Sequence, residues 1–154
     1  MTGVGAVINT ANAREEDSIA VVGLGGVGLS ALLASMAIGS KKTIAIDLSN
    51  EKLKLAHELG ADHILNPNDA NFLERMRDLT SGGANIAIET AGSGRALKTA
   101  YDITRRGGIT VAAGMPGPKV DITLSHLSIA AEERIIKGSY MGSCLLYTSP
   151  SPRD

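Results

Sequence analysis

Four glycines fall within six residues, Gly23-Leu24-Gly25-Gly26-Val27-Gly28, between a β-branched run and a long apolar one. Glycine this dense weakens strands and helices alike. The pattern G-x-G-x-x-G arises by chance in many chains, so its context decides its meaning. Here it follows a short apolar strand, Ile19-Ala20-Val21-Val22, and opens a helical segment. In that setting Gly23 lets the chain turn off the strand. Gly25, without a Cβ, lets a phosphate reach the backbone, and Gly28 lets the helix lie close to the sheet. The free N–H groups of the helix start carry partial positive charge toward the phosphates. No lysine is required, and the loop has none; the spacing G-x-x-x-x-G-K-[S/T] is absent. The alternative is a tight turn with close helix packing and no ligand.

The stretch Ser18–Ser40 carries no charge over 23 residues, long enough to span a bilayer. Its five glycines and its β-branched start favour a buried strand followed by a buried helix instead. No membrane association is expected. Nor is nucleic-acid binding, since the net charge is −1.

Beyond the loop, short apolar runs alternate with helical patterns. The strands expected are Ile19–Val22, Thr43–Ile46, His63–Leu65, Ile86–Glu89, Ile109–Ala112 and Ile135–Ser139. They are apolar on both faces, as parallel strands covered on both sides must be. The helices expected are 3–13, Gly26–Ile38, Asn50–Leu59 (capped by Ser49 or Asn50, closed by Gly60), Asp69–Leu79 (capped by Asn68 or Asp69), Ser93–Thr104 and a short Ser125–Ala130. Strand–helix alternation with short connections predicts right-handed crossovers. The fold class is therefore α/β: a Rossmann, doubly wound parallel sheet of about six strands in the order 3-2-1-4-5-6.

The second strand ends at Asp47, nineteen residues beyond Gly28. An acidic residue near that spacing accepts hydrogen bonds from the adenosine ribose and repels the 2′-phosphate of NADP. Leu48-Ser49-Asn50-Glu51 offers no arginine for that phosphate, so the cofactor expected is NAD. A helix-capping or turn role is the other reading of Asp47. Lys52, one turn into the next helix, either reaches the same ribose or is a solvated surface lysine. The single cysteine, Cys144, cannot pair within the chain, which favours a reducing compartment and a cytoplasmic location. The first residues lack the basic start and apolar core of a signal peptide.

Taken together, Val22–Ala31, Leu59-Gly60-Ala61-Asp62-His63 with Asn66-Pro67, and Leu79–Asn85 resemble the cofactor domain of zinc-type, medium-chain alcohol dehydrogenases. So do Glu89-Thr90-Ala91-Gly92 and Ile135-Ile136-Lys137-Gly138-Ser139; the resemblance runs in register over 1–144. It implies that residues 1–144 are an NAD-binding domain. By position, Gly23, Leu24, Gly25, Gly26, Val27 and Gly28 cradle the dinucleotide, with Val27 behind the nicotinamide ring. Asp47 and Lys52 hold the adenosine ribose. Thr90 and Ala91 line the cleft. Thr2 touches the nicotinamide, and Ala113, Gly114, Met115, Ser139 and Met141 flank it, largely through backbone groups.

The resemblance also implies hydride transfer between an alcohol or aldehyde and NAD, with zinc stabilising the alkoxide. In the family the zinc ligands and a four-cysteine structural lobe belong mostly to a GroES-like catalytic domain, which the resemblance places outside this chain. Cys144, His57, His63 and His126 show no ligand spacing. The expectation is thus a chain that binds NAD without catalysis, its last sheet edge serving a homo-oligomer. The alternatives are a stand-alone dinucleotide-binding module and an S-adenosylmethionine-dependent methyltransferase; the latter would carry an antiparallel seventh strand. Residues 145–154 have no strand or helix period and contain two Ser-Pro steps. They resemble translated sequencing-adapter read-through and are expected to be unstructured and non-native.

Overall fold

A computed structural model describes residues 1–143. Cys144 and the segment 145–154 lie outside the described residues. Six strands form one sheet: β1 (Ser18–Val22), β2 (Lys42–Ile46), β3 (His63–Leu65), β4 (Ala84–Glu89), β5 (Thr104–Ala112) and β6 (Ile135–Gly138). Every neighbouring pair is parallel and the order is β3-β2-β1-β4-β5-β6. Among the described residues no antiparallel strand joins it, which disfavours the methyltransferase alternative.

The helices are α1 (Thr2–Gly5), α2 (Gly26–Ala37), α3 (Asn50–Glu58), α4 (Phe72–Thr80), α5 (Gly94–Ile103) and α6 (His126–Glu132). Successive strand residues point to opposite faces, so β1 feeds two cores. Ile19 and Val21 pack with Ala31 and Leu32 of α2 and Leu53 of α3. Ala20 and Val22 pack with Phe72 and Met76 of α4 and Ala100 and Ile103 of α5. All five residues of β1 are buried. Each fully buried aliphatic side chain here adds about 1.5–3 kcal/mol of transfer free energy.

The chain therefore winds outward from β1 on one face, crosses back, and winds outward again on the other. The direction reverses between β1 and β4, and a crevice opens there at the carboxyl ends of the strands. No helix among the described residues is long and apolar enough to cross a membrane.

Three elements depart from the sequence expectation. The N-terminal helix, expected over 3–13, is α-helical only over Thr2–Gly5 and widens to a π turn over Ala6–Thr10, where the Ala11 N–H reaches back to the Ala6 carbonyl. The widening lets Thr10 meet Ser139 and Ser143, to whose hydroxyls it is hydrogen-bonded at 2.8 and 2.9 Å. Helix α4 starts at Phe72, not near Asp69: the Asn66 side chain accepts the Asn68 N–H and the Asp69 N–H bonds to the Asn66 carbonyl, so these residues form turns first. Strand β5 starts at Thr104, which expectation assigned to the preceding helix. Thr104 pairs with Ala84, and the ladder resumes only at Ile109 opposite Ile86, with Gly107 at φ +66° in the bulge between them.

Candidate functional site

The glycine loop leaves β1 at Gly23, whose φ of +94° falls where side chains are strained. Its N–H bonds to the Ile46 carbonyl at 2.8 Å, tying the turn to β2. A Cβ on Gly28 would collide with the Gly23 carbonyl oxygen and come 2.8 Å from Thr90 Oγ1. Gly23 and Gly28 are thus required by the protein's own packing. Gly25 and Gly26 are not: a Cβ on either would meet nothing within 4 Å. They leave the first turn of α2 bare on its open side. Gly25 has extended backbone and offers no side chain to cap the first N–H groups of α2.

Asp47 sits at the end of β2 with its side chain nearly buried. One oxygen accepts the Leu24 N–H at 2.7 Å and the other accepts the Ser49 N–H at 2.9 Å. The turn role and the crevice role are therefore not alternatives. The carboxylate fixes the glycine loop against β2, and with room for about four hydrogen bonds it keeps acceptor capacity toward the crevice. Lys52 Nζ lies 3.6 Å from Asp47 Oδ2 and is half-exposed. Ser49 caps α3 by accepting the Lys52 N–H, which sets the start of that helix.

Asp47, Lys52, Gly23 and Ala91 line one cleft of about 240 Å³. Its far wall is Arg95, Ala96 and Thr99 of α5, with Pro67 at the rim. That wall was missed by sequence reasoning, although residues 95 and 99 share a helix face by their spacing. Arg95 donates to Asn68 Oδ1 at 2.9 Å, joining α5 to the β3–α4 turn. Thr90 ties the end of β4 to the start of the glycine loop: its N–H bonds to the Val22 carbonyl at 2.9 Å and its hydroxyl to the Gly23 carbonyl at 2.6 Å. Ala91 packs where a Cβ on Gly23 would fall, 2.8 Å from the Ala91 Cβ.

The remaining predicted residues lie outside this cleft, around the ends of β5 and β6. Thr2 leads into Gly3, which packs against the Val27 carbonyl so tightly that no Cβ fits. Gly142 packs in the same way on Gly5, which brings Met141 beside α1. Met115, Val27 and Met141 present exposed side chains. Ala113 and Gly114 donate their N–H groups to the Glu89 carbonyl at 2.8 and 2.9 Å, and the Ser139 N–H bonds to the Ala112 carbonyl at 2.8 Å. These N–H groups are spent inside the protein, and the Ser139 hydroxyl oxygen accepts the Thr10 hydroxyl. Ala113 and Gly114 are left with their carbonyl groups for a ligand, while Ser139 keeps its own O–H to donate.

Glu89 was not singled out by the sequence reading, though a carboxylate closing the run Ile86-Ala87-Ile88 signals it. It is only 2% exposed. Burial pushes its carboxyl above the ordinary range; the backbone N–H groups of Gly92, Ala91, Ser93 and Gly114 pull the other way.

Metal ligation has no such support. His57 is exposed on α3, His63 begins β3 and His126 begins α6. Among the described residues no three His, Cys, Asp or Glu side chains are grouped to hold an ion. The described residues do not fit a zinc site.

The family model for zinc-binding dehydrogenases matches residues 26–151. The chain belongs to the zinc-binding dehydrogenase family. Alcohol dehydrogenase 1 of Pisum sativum is 33% identical over 145 residues, covering 92% of this chain and 38% of that protein. The crystal structure of benzyl alcohol dehydrogenase from Acinetobacter calcoaceticus superposes with a TM-score of 0.88 at 33% identity, over 92% of this chain and 39% of that one. An alcohol dehydrogenase zinc-binding domain protein from Burkholderia ambifaria gives 0.89 at 32% identity, over 94% and 39%. The chain thus spans about two fifths of the length of these zinc-binding dehydrogenase relatives.

Proposed function

We propose that this chain binds NAD across the carboxyl ends of its strands and is the cofactor-binding part of a cytoplasmic alcohol dehydrogenase. The observation that carries the cofactor reading is the pair Gly25 and Gly26. Nothing inside the protein excludes a side chain there, so the reason for glycine is external, and a pyrophosphate at the start of α2 supplies it. The adenosine ribose lies at Asp47 and Lys52, with Arg95, Ala96 and Thr99 beside the adenine. The nicotinamide lies toward Thr2, Val27, Thr90, Ala113, Gly114, Met115, Ser139 and Met141. When bound, NAD supplies the hydride acceptor. The alcohol or aldehyde substrate is inferred from the relatives, which are alcohol dehydrogenases by name.

Each of these residues binds, orients or excludes water; none moves a proton or polarises an alcohol. Since the described residues do not fit zinc, no step through that metal is assigned to them, and the 154-residue chain is expected to bind NAD without oxidising alcohols.

Calorimetry of the full chain with NAD and NADP tests this reading. NAD is expected to bind, and NADP hardly at all. Asp47→Ala is expected to weaken NAD by about 1–3 kcal/mol, the scale of charged hydrogen bonds. Asp47→Asn, which keeps one acceptor oxygen for Leu24, separates charge from loop support: it should narrow the preference for NAD while the loop stays folded. Equal affinity for both cofactors in the unaltered chain overturns the NAD assignment, and zinc-dependent alcohol oxidation by this chain overturns the division of labour.

A further inference from the structure

Glu89 is a buried carboxylate for which the cofactor site has no direct use. It ends β4 between two loops, 90–93 and 113–116. Its Oε1 accepts the Gly92 N–H at 2.6 Å. A Cβ on Gly114 would come 2.8 Å from the same oxygen, and one on Gly92 would come 2.6 Å from the Met115 carbonyl oxygen. Its own carbonyl holds the N–H groups of Ala113 and Gly114. The two loops therefore meet across this one side chain, with glycine on each side to let it in.

We propose that Glu89 is a positioning residue whose ionised carboxylate sets the spacing of loops 90–93 and 113–116 and, through them, the affinity for the dinucleotide. The second half rests on the NAD reading above. The mechanism is one of donor and acceptor count. The carboxylate only accepts, and every backbone group turned toward it is a donor. A proton would set an O–H donor among those N–H groups, weakening the tie to Gly92 and letting the loops drift apart.

Among the described residues no other ionisable side chain lines the cavity beside it. Val22 of β1 and Ala112 of β5 are its strand neighbours. The small cavity it borders, about 100 Å³, is completed by Leu97 of α5 and by Pro116, Val120 and Ile122, all without charge. The ionisable residues of those segments are Arg95, Lys98, Tyr101 and Asp102 on α5 and Lys119 and Asp121 before α6; all are exposed except Tyr101, which is buried against Ser128 and Arg134. Burial raises the carboxyl's proton affinity, which brings the change closer to neutral pH than an exposed glutamate would allow.

Two measurements on the full chain and on Glu89→Gln test this. In amide NMR spectra recorded from neutral pH downward, the Gly92 and Gly114 resonances of the unaltered chain should move together with one midpoint. In Glu89→Gln they should stay still. Calorimetric NAD affinity should fall about tenfold as pH drops through that midpoint, and should be weak and flat with pH in Glu89→Gln. The titration of the unaltered chain decides the matter even if the variant fails to fold. Gly92 and Gly114 resonances that do not move together overturn the proposal. So does a flat NAD affinity where those resonances titrate, or a Glu89→Gln chain that binds NAD as tightly as the original. A chain that binds no NAD at any pH overturns the cofactor reading, and the NMR titration still decides whether Glu89 spaces the loops.

Discussion

Two carboxylates anchor this crevice, and they do so under opposite conditions. Asp47 keeps a little solvent exposure at the cleft: it holds the Leu24 and Ser49 N–H groups and pairs with Lys52. Glu89 is enclosed, and its enclosure has a cost that depends on pH. Its carboxyl lies above the ordinary value of 4.5 because burial disfavours charge. The folded chain therefore binds this proton more tightly than the unfolded chain does. By linkage, the protonated group's contribution to stability is fully present below pH 4.5 and is lost as pH rises through the raised value. Glu89→Gln has no proton to lose. Urea unfolding of the two chains across that window should show the original losing stability relative to Glu89→Gln as pH rises; a relative gain would contradict the burial argument. Cofactor affinity is expected to run the other way, improving as the carboxylate forms.

The loop from β1 to α2 was legible in the sequence because its meaning is local: glycine spacing, a β-branched run before it and an apolar helix after it. The same is true of the six strands, whose apolar character on both faces fixes a parallel sheet, and of Asp47, which is placed by its distance from Gly28. What was not legible depends on contacts far away in sequence. The π turn over Ala6–Thr10 forms where Thr10 meets Ser139 and Ser143. The nest around Glu89 needs Gly92 and Gly114 together, and the wall at Arg95 needs α5 to pack beside the β3–α4 turn. The assignment of residues to a nicotinamide came from family resemblance alone. Within the loop, the structure divides glycines that the motif treats alike. Gly28→Ala drives a methyl into the Gly23 carbonyl and should destabilise the fold by about 1–3 kcal/mol, the scale of overpacking. Gly25→Ala meets open space and has a φ of −78° that alanine accepts. Its melting temperature should be unchanged while NAD affinity drops. Thermal melts paired with calorimetry check both; a Gly25→Ala chain that binds NAD normally would leave the open glycines without a ligand to explain them.

At the scale of the whole molecule, the two edges of the sheet are finished differently. The β3 edge is three residues long and ends in turns. The β6 edge is four residues long, and every one of them is exposed, Ile135 and Ile136 included. Just before it, α6 buries none of its residues and leaves Leu127 and Ile129 in the open. Among the described residues nothing covers this edge, and an open apolar strand edge is a template for pairing with another chain. Apolar exposure concentrated in one region also marks a contact surface. The occupant expected is a second copy of the chain, β6 against β6, which closes both edges at once by two-fold symmetry. Sedimentation analysis over a range of concentrations should show a monomer–dimer equilibrium in the unaltered chain. Ile136→Lys should shift it toward monomer without loss of NAD affinity, since β6 reaches the proposed cofactor crevice only at its carboxyl end. A monomer at every concentration, or a dimer indifferent to that lysine, would mean that the edge is covered by something other than its own copy.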